Sequence, residues 1–177
     1  MNTEKLFGSI ADAIEEGQLK LGYREETIRL YYPLDSLNRL LGTQHDAAGM
    51  MDALAAFSQA YADRLGGVAV SRKGKRFCIA VPPEGAAYIH AGTDPNGFLA
   101  RFIDLIARHG TRIGDVIALF EAFSPRVSIQ ALHNGEIDYL IRFEDGQPDA
   151  YYYCIADEGC HLTYHRFSRE DYEAFGF

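Results

Sequence analysis

PRVSIQALHNGEIDYLIRFEDGQPDAYYYCIADEGCHLTYHRF, residues 125–167, decides the fold class. Apolar and polar side chains alternate through much of it, and period two is the pattern of strands. At Asn134-Gly135 a two-residue turn would set Gln130 opposite Tyr139 and Ala131 opposite Asp138, which mixes the faces. A three-residue loop with Gly135 in the left-handed position instead aligns Val127, Ile129 and Ala131 with Ile141, Tyr139 and Ile137, and this is the expected register. A loop at Asp157-Glu158-Gly159 pairs Cys154 with Leu162 and Tyr152 with Tyr164. It leaves Tyr151, Tyr153, Ile155, His161, Thr163 and His165 on the other, outer face. Four antiparallel strands follow, and on these faces Tyr153→Ala should be tolerated while Tyr152→Ala unfolds the protein.

Upstream, the pattern is largely helical. Leu6, Ile10, Ala13 and Ile14 recur at helical spacing with acids between them, so residues 3–19 form an amphipathic helix. Thr27–Tyr32 alternates and stops at Pro33, which reads as a short strand or, alternatively, a helix. Leu34, Leu37, Leu40 and Leu41 then share a helical face that Gly42 terminates. Thr43 and Asp46 resemble a capping box before a helix near 46–65, expected to be the longest. In VAVSRKGKRFCIAV, residues 68–81, a loop at Lys73-Gly74 pairs Val70 with Phe77 and Val68 with Ile79. Ala86–His90 suggests a brief strand. Helices are expected over 95–109 and from Thr111, and Ser168 with Asp171 caps a terminal turn docking Tyr172 and Phe175. The expected class is α+β, one domain over 1–177. Its helices lie in the first two thirds, packed on an antiparallel sheet built from hairpins 68–81, 127–143 and 150–166.

The bulk composition narrows the functional classes. A chain of 177 residues with 47% hydrophobic and 24% charged side chains is ordinarily globular,. The net charge of -8 is spread evenly, with ten acids and six bases in residues 1–66 and fifteen and eleven in residues 67–177. Such a surface is repelled by phosphate backbones, so nucleic acid is not an expected partner. No run of about 18 apolar residues points to a membrane, and the N-terminal segment has no secretory pattern. Cys78, Cys154 and Cys160 are too few and irregular for a secreted disulfide framework, which suggests a cytoplasmic setting.

No spacing matches a reaction. Nucleotide-binding, metalloprotease and hydrolase signatures are absent, and no cofactor is expected. On a strand, four residues separate His161 and His165 by about 13 Å, too far for one ion, so no metal site is assigned. The basic run SRKGKR sits on a hairpin tip, where charges favour solubility or meet an acidic partner. Arg24, Arg29 and Arg39 could clamp an anion against Tyr23, Tyr31 and Tyr32, or serve as a structural joint neutralised by Glu25 and Glu26.

The run KLGYREETIRLYYPLDSLNRLLG, residues 20–42, together with the chain length and the aromatic C-terminal strands, resembles a family of bacterial proteins of unknown function known mainly from gut anaerobes. The resemblance spans nearly the whole chain. It implies a small cytoplasmic bacterial protein and carries over no catalytic residue. The expectation is therefore a non-catalytic binding or interaction module whose partner is a protein, a small molecule or a second copy in a homodimer. Its candidate ligand-binding residues are Tyr23, Arg24, Arg29, Tyr31, Tyr151, Tyr153, His161 and His165. The alternative is an enzyme acting on a small anion, with Arg24 or Arg29 as clamp and His90, His133, His161 or His165 as acid or base.

Overall fold

The computed structural model describes residues 1–22 and 26–175, the Phe175 side chain excepted. The class is α+β: among the described residues there are eight helices and seven strands, the strands in two antiparallel sheets. The chain gathers into two compact units, Met1–Thr93 and Asp94–Phe177.

The first unit runs α1 (Thr3–Leu21), β1 (Ile28–Pro33), α2 (Leu34–Leu41), α3 (Ala47–Ala60), α4 (Ala62–Leu65), β2 (Ala69–Lys73), β3 (Arg76–Val81) and α5 (Pro83–Gly92). Asn2 Oδ1 accepts from Lys5 N–H at the start of α1, and Gly22, at φ +73°, closes its end by donating to the Gln18 carbonyl. Leu6, Ile10 and Ile14 are fully buried along one stripe, each stabilising the unit by roughly 1.5–3 kcal/mol. At 19 residues α1 is the longest helix, not the one expected over 46–65. That segment breaks at Tyr61, whose φ of -110° and ψ of 16° leave helical geometry between α3 and α4. Asp46 caps α3 itself by accepting from Gly49 N–H at 2.8 Å, while Thr43 donates to Asn38 Oδ1, so the expected capping box does not form.

β3 lies between β1 and β2. Hairpin 68–81 therefore pairs with β1 rather than joining the C-terminal strands, and the single expected sheet is two. Its register is Val70↔Ile79 and Lys73↔Arg76, two residues from the expected one. The shift places Gly74, at φ +63°, first in the two-residue loop, where positive φ favours glycine,. An even shift keeps every side chain on its expected face. The Ala86–His90 segment is helical, not a strand. Pro82 is held extended by the proline after it, and Pro83 opens α5, where its missing N–H costs nothing,. Gln18 Nε2 then donates to the Ala86 carbonyl at 2.8 Å, tying α1 to α5.

The second unit runs α6 (Phe98–Ile106), α7 (Ile113–Phe123), β4 (Val127–Ala131), β5 (Tyr139–Phe143), β6 (Tyr152–Asp157), β7 (Leu162–Phe167) and α8 (Arg169–Phe175), with strands in the order β4-β5-β6-β7. β4 and β5 pair Val127↔Phe143 and Ile129↔Ile141, again two residues from expectation. Their loop is longer than three residues because Asn134 Oδ1 accepts from both Glu136 N–H and Ile137 N–H.

The β6–β7 register differs by three. Tyr152 faces Phe167, Cys154 faces His165 and Asp157 faces Leu162, around a four-residue loop in which Glu158 N–H donates to the His161 carbonyl. An odd shift reverses faces. Tyr153 and Ile155 thus share a face with Tyr164 and Arg166, and it is this face that carries the helices. The ring of Tyr153 meets those of Phe98, Phe102 and Phe120 edge-on at centroid distances of 5.6, 4.7 and 5.3 Å. On the opposite face Leu140 and Cys154 are covered by Tyr152, Phe167 and Tyr172. Ser168 and Asp171 cap α8 reciprocally as expected. The docking expected of Phe175 lies outside the described side chains.

Candidate functional site

The three-stranded sheet has one face in the core and one facing outward. Ile28, Leu30 and Tyr32 of β1, Phe77, Ile79 and Val81 of β3, and Val70 of β2 pack into the first unit's core. Alternation sends their neighbours outward. The registers arrange these in three rows across the sheet: Arg29, Ala80 and Ala69; Tyr31, Cys78 and Ser71; Pro33, Arg76 and Lys73. Small side chains floor the middle, and Arg29, Lys73, Arg76 and Tyr31 rise around them, all exposed, Tyr31 at 46%. Cys78 is only 6% exposed at the centre of this face.

The sheet joins two motifs that lie far apart in sequence, the IRLYYP strand and the SRKGKR tip. Lys73 and Arg76 are direct cross-strand partners, an arrangement in which like charges repel. Lys75 adds a third cation at the loop, and Arg72 Nε donates to the Gly74 carbonyl at 3.0 Å. Among the described residues, none of Arg29, Lys73, Lys75 or Arg76 is within ion-pair distance of a carboxylate. Arg29 stands four strand positions from Arg76, about 13 Å along the sheet. The face is a positively charged track suited to several spaced negative groups rather than one small anion.

Arg29 and Tyr31 are therefore brought together on this face. Tyr23 and Arg24 lie outside the described residues. Arg39 bonds locally, donating to Ser36 Oγ.

Tyr151 and Tyr153 belong to a different arrangement in the second unit. Arg166 Nη2 meets Asp149 Oδ2 at 2.9 Å with both side chains more than nine-tenths buried. The Tyr153 hydroxyl donates to the same carboxylate at 2.9 Å, Tyr151 N–H donates to Asp149 Oδ1, and the guanidinium lies 3.8 Å from the Tyr151 ring centre. Tyr153 is fully buried, so the expected outer face of Tyr151, Tyr153 and Ile155 is corrected to a core face, and the tolerance expected of Tyr153→Ala is reversed. Burial pushes its hydroxyl pKa well above the ordinary range. The Asp149 carboxylate accepts from all three of these donors, whereas Arg166 Nε is buried without an acceptor, and the pair's chemistry is structural,.

The histidines are dispersed. His165 is exposed on β7 beside the Phe167 ring. His161 sits in the β6–β7 turn, its Nδ1 3.2 Å from Cys160 Sγ and its Nε2 3.3 Å from Glu158 Oε2. Sequence reasoning identified no base beside Cys160, although the adjacent Cys-His pair in a glycine-containing turn was visible. His133 Nδ1 lies 3.1 Å from Asp138 Oδ1, and Asp138 Oδ2 accepts from Asp157 N–H at 2.8 Å. That backbone hydrogen bond, with the His133 ring second, holds the Asp138 carboxyl below its usual range. An open groove of about 460 Å³ between α1 and α5 is lined by Phe7, Glu15 and Tyr88 among others, with neither arginine nor histidine. Among the described residues no group of three or more His, Cys, Asp or Glu converges on a metal position, and no helix is long and apolar enough to cross a membrane.

No curated protein and no solved structure matches the chain. The chain belongs to the family DUF3877, described as "Domain of unknown function, E. rectale Gene description", whose family model matches residues 3–176.

Proposed function

We propose that this member of DUF3877 is a non-catalytic binding module whose contact surface is the outer face of the three-stranded sheet, and that its partner is an acidic, extended protein segment. The observation that carries this reading is the directly opposed Lys73–Arg76 pair, continued by Arg29 along the same face. A surface that holds unneutralised like charges together gives up stability that an acidic partner restores. The separation of Arg29 from Arg76 favours an extended segment over a compact anion. Tyr31 adds an exposed aromatic of the kind that anchors interfaces,. The enzyme alternative draws no support from this face, where none of the nine positions is a histidine.

A bacterial, cytoplasmic setting belongs to the same reading. All three cysteines are free, as a reducing compartment would keep them, and the family description names E. rectale,.

Anisotropy of a fluorescent oligo-glutamate peptide about eight residues long, long enough when extended to follow the track, tests the proposal. Binding should weaken as salt rises. The triple substitution Arg29→Gln, Lys73→Ser, Arg76→Ser should lower affinity at least tenfold with a denaturation midpoint that is unchanged or higher. Arg29→Gln alone reads the same surface if the triple variant is unstable. Equal affinity of wild type and variants overturns the reading. So does a dimer that these substitutions dissociate, which would assign the face to a second copy.

A further inference from the structure

We propose that Cys160 is a reactive thiol that forms mixed disulfides with small disulfide compounds, with His161 as its proton acceptor and Glu158 as the residue that positions the imidazole. The three side chains lie on the β6–β7 turn, in a different unit from the basic sheet face, and nothing in the proposed binding role uses them. Cys160 Sγ is 3.2 Å from His161 Nδ1, and Nε2 of the same ring is 3.3 Å from Glu158 Oε2. The geometry assigns one consistent tautomer. Nε2–H donates to the carboxylate, which leaves Nδ1 as acceptor for the thiol proton. The two contacts sit on opposite sides of the ring, so the group is a nucleophile–base–acid chain rather than a metal site.

The turn holds this order in place. Thr163 Oγ1 donates to the second Glu158 oxygen at 3.3 Å, Gly159 N–H donates to Asp157 Oδ1 at 2.8 Å, and Glu158 N–H donates to the His161 carbonyl at 3.1 Å. Cys160 is exposed, whereas Cys78 and Cys154 are buried. Burial pushes the Cys154 thiol up to about 11, which makes it an internal control of low reactivity,.

In the reaction His161 takes the thiol proton, and the Cys160 thiolate attacks one sulfur of R–S–S–R. The new sulfur–sulfur bond forms as the old one breaks. The leaving thiolate recovers the proton from the imidazolium, so a protein thiol and a disulfide become a mixed disulfide and a free thiol. Cys160 is oxidised and the small disulfide is reduced, and no other reactant enters. Cys154 lies three strand positions before the end of β6, about 10 Å from the turn, too far to displace the adduct.

The test is intact mass and peptide mapping of the full chain treated with hydroxyethyl disulfide, a neutral probe, from pH 6.5 to 9. One adduct per chain, at Cys160, is expected. At pH 7 wild type should react about fivefold faster than His161→Gln, with Glu158→Gln between them, and the gap should close toward pH 9, where a thiol ionises unaided. Thermal midpoints of the variants separate lost chemistry from lost folding. Equal rates for wild type and both folded variants at pH 7 would overturn the proposal. A first adduct at Cys78 or Cys154 would do the same.

Discussion

The two sheets solve the same problem differently. In the three-stranded sheet only one face is packed, and β1 alternates half-buried and exposed side chains along its whole length. In the four-stranded sheet helices α6 and α7 supply aromatic rings to one face and α8 covers part of the other. Tyr153, Cys154 and Ile155 are buried in succession as a result. The first arrangement leaves a face free to carry charge, with Lys73 opposite Arg76. The second encloses its charge, Arg166 against Asp149, and two tyrosines donate to the carboxylate. Among the described residues the unpacked face carries cations without a carboxylate partner, whereas the deeply buried Arg166 of the covered sheet is paired with one.

The sharpest way to break this comparison is Tyr153→Ala. Removing a fully buried ring from among Phe98, Phe102 and Phe120 should cost roughly 3–5 kcal/mol, and it also deprives Asp149 of a donor,. Chemical denaturation measures this. Tyr152→Ala, on the face that Tyr172, Phe167 and Leu132 partly cover, should cost clearly less, and a larger loss there than at Tyr153 would reverse the two faces.

Next comes Arg166→Ala, which strands the buried Asp149 carboxylate. The expected loss is on the order of 3 kcal/mol, at the low end for a broken buried pair, because the Tyr153 hydroxyl and Tyr151 N–H still donate to Asp149,. Replacing both partners, Asp149→Leu with Arg166→Met, should recover much of that loss. A double variant no more stable than Arg166→Ala would mean the pair contributes more than its mutual satisfaction.

Gly85→Ala probes close backbone approach in the first unit. An added Cβ would run into the Leu65 carbonyl and a Val81 methyl, and the Leu65 atoms are backbone that cannot swing aside. About 1–3 kcal/mol of destabilisation is expected by thermal or chemical unfolding. Gly17→Ala on α1 meets no atom within 4 Å and should be neutral or slightly stabilising, so equal losses at both positions would refute the crowding argument,.

These contrasts also explain what could be read from the sequence. β1 was legible because one covered face imposes period two on IRLYYP. The α+β class and the α8 cap followed from equally local signals. β6 was not legible in the same way. With both faces covered, YYYCI loses its alternation, and nothing local distinguishes a three-residue loop from the four-residue loop that reverses Tyr153. α5 was misread as a brief strand over Ala86–His90, although Pro82-Pro83 before it is a helix-opening signal,. The basic tip and the Arg29 stretch were each visible, but their meeting on one face depends on β1 pairing with β3 across the intervening residues 34–75. Such non-local pairing is written in no single segment.

Lys73→Thr tests the open face at smaller amplitude. If Lys73 and Arg76 repel across the strands, removing one charge should leave stability unchanged or raise it by about 0.2–1 kcal/mol,. A loss of similar size would mean that the lysine's aliphatic stem, rather than its charge, dominates.

The smallest effect expected concerns an exposed charge held by a backbone group. Asp138 is held below the usual carboxylate range first by the hydrogen bond from Asp157 N–H and then by the His133 ring. A depressed folded-state value means the unfolded chain binds the proton more readily. The contribution is therefore complete above the unfolded value of about 4 and is lost as pH falls through the lower folded value. Asp138→Asn should thus make the decline of the denaturation midpoint between pH 5 and 2 shallower, while salt moves the wild-type curve little because a backbone dipole, not a distant charge, is the main cause. A wild-type slope that collapses in high salt would instead place the His133 charge first. It would make this carboxylate a small counterpart of the Lys73–Arg76 pair, governed by side-chain charge rather than by the strand that holds it.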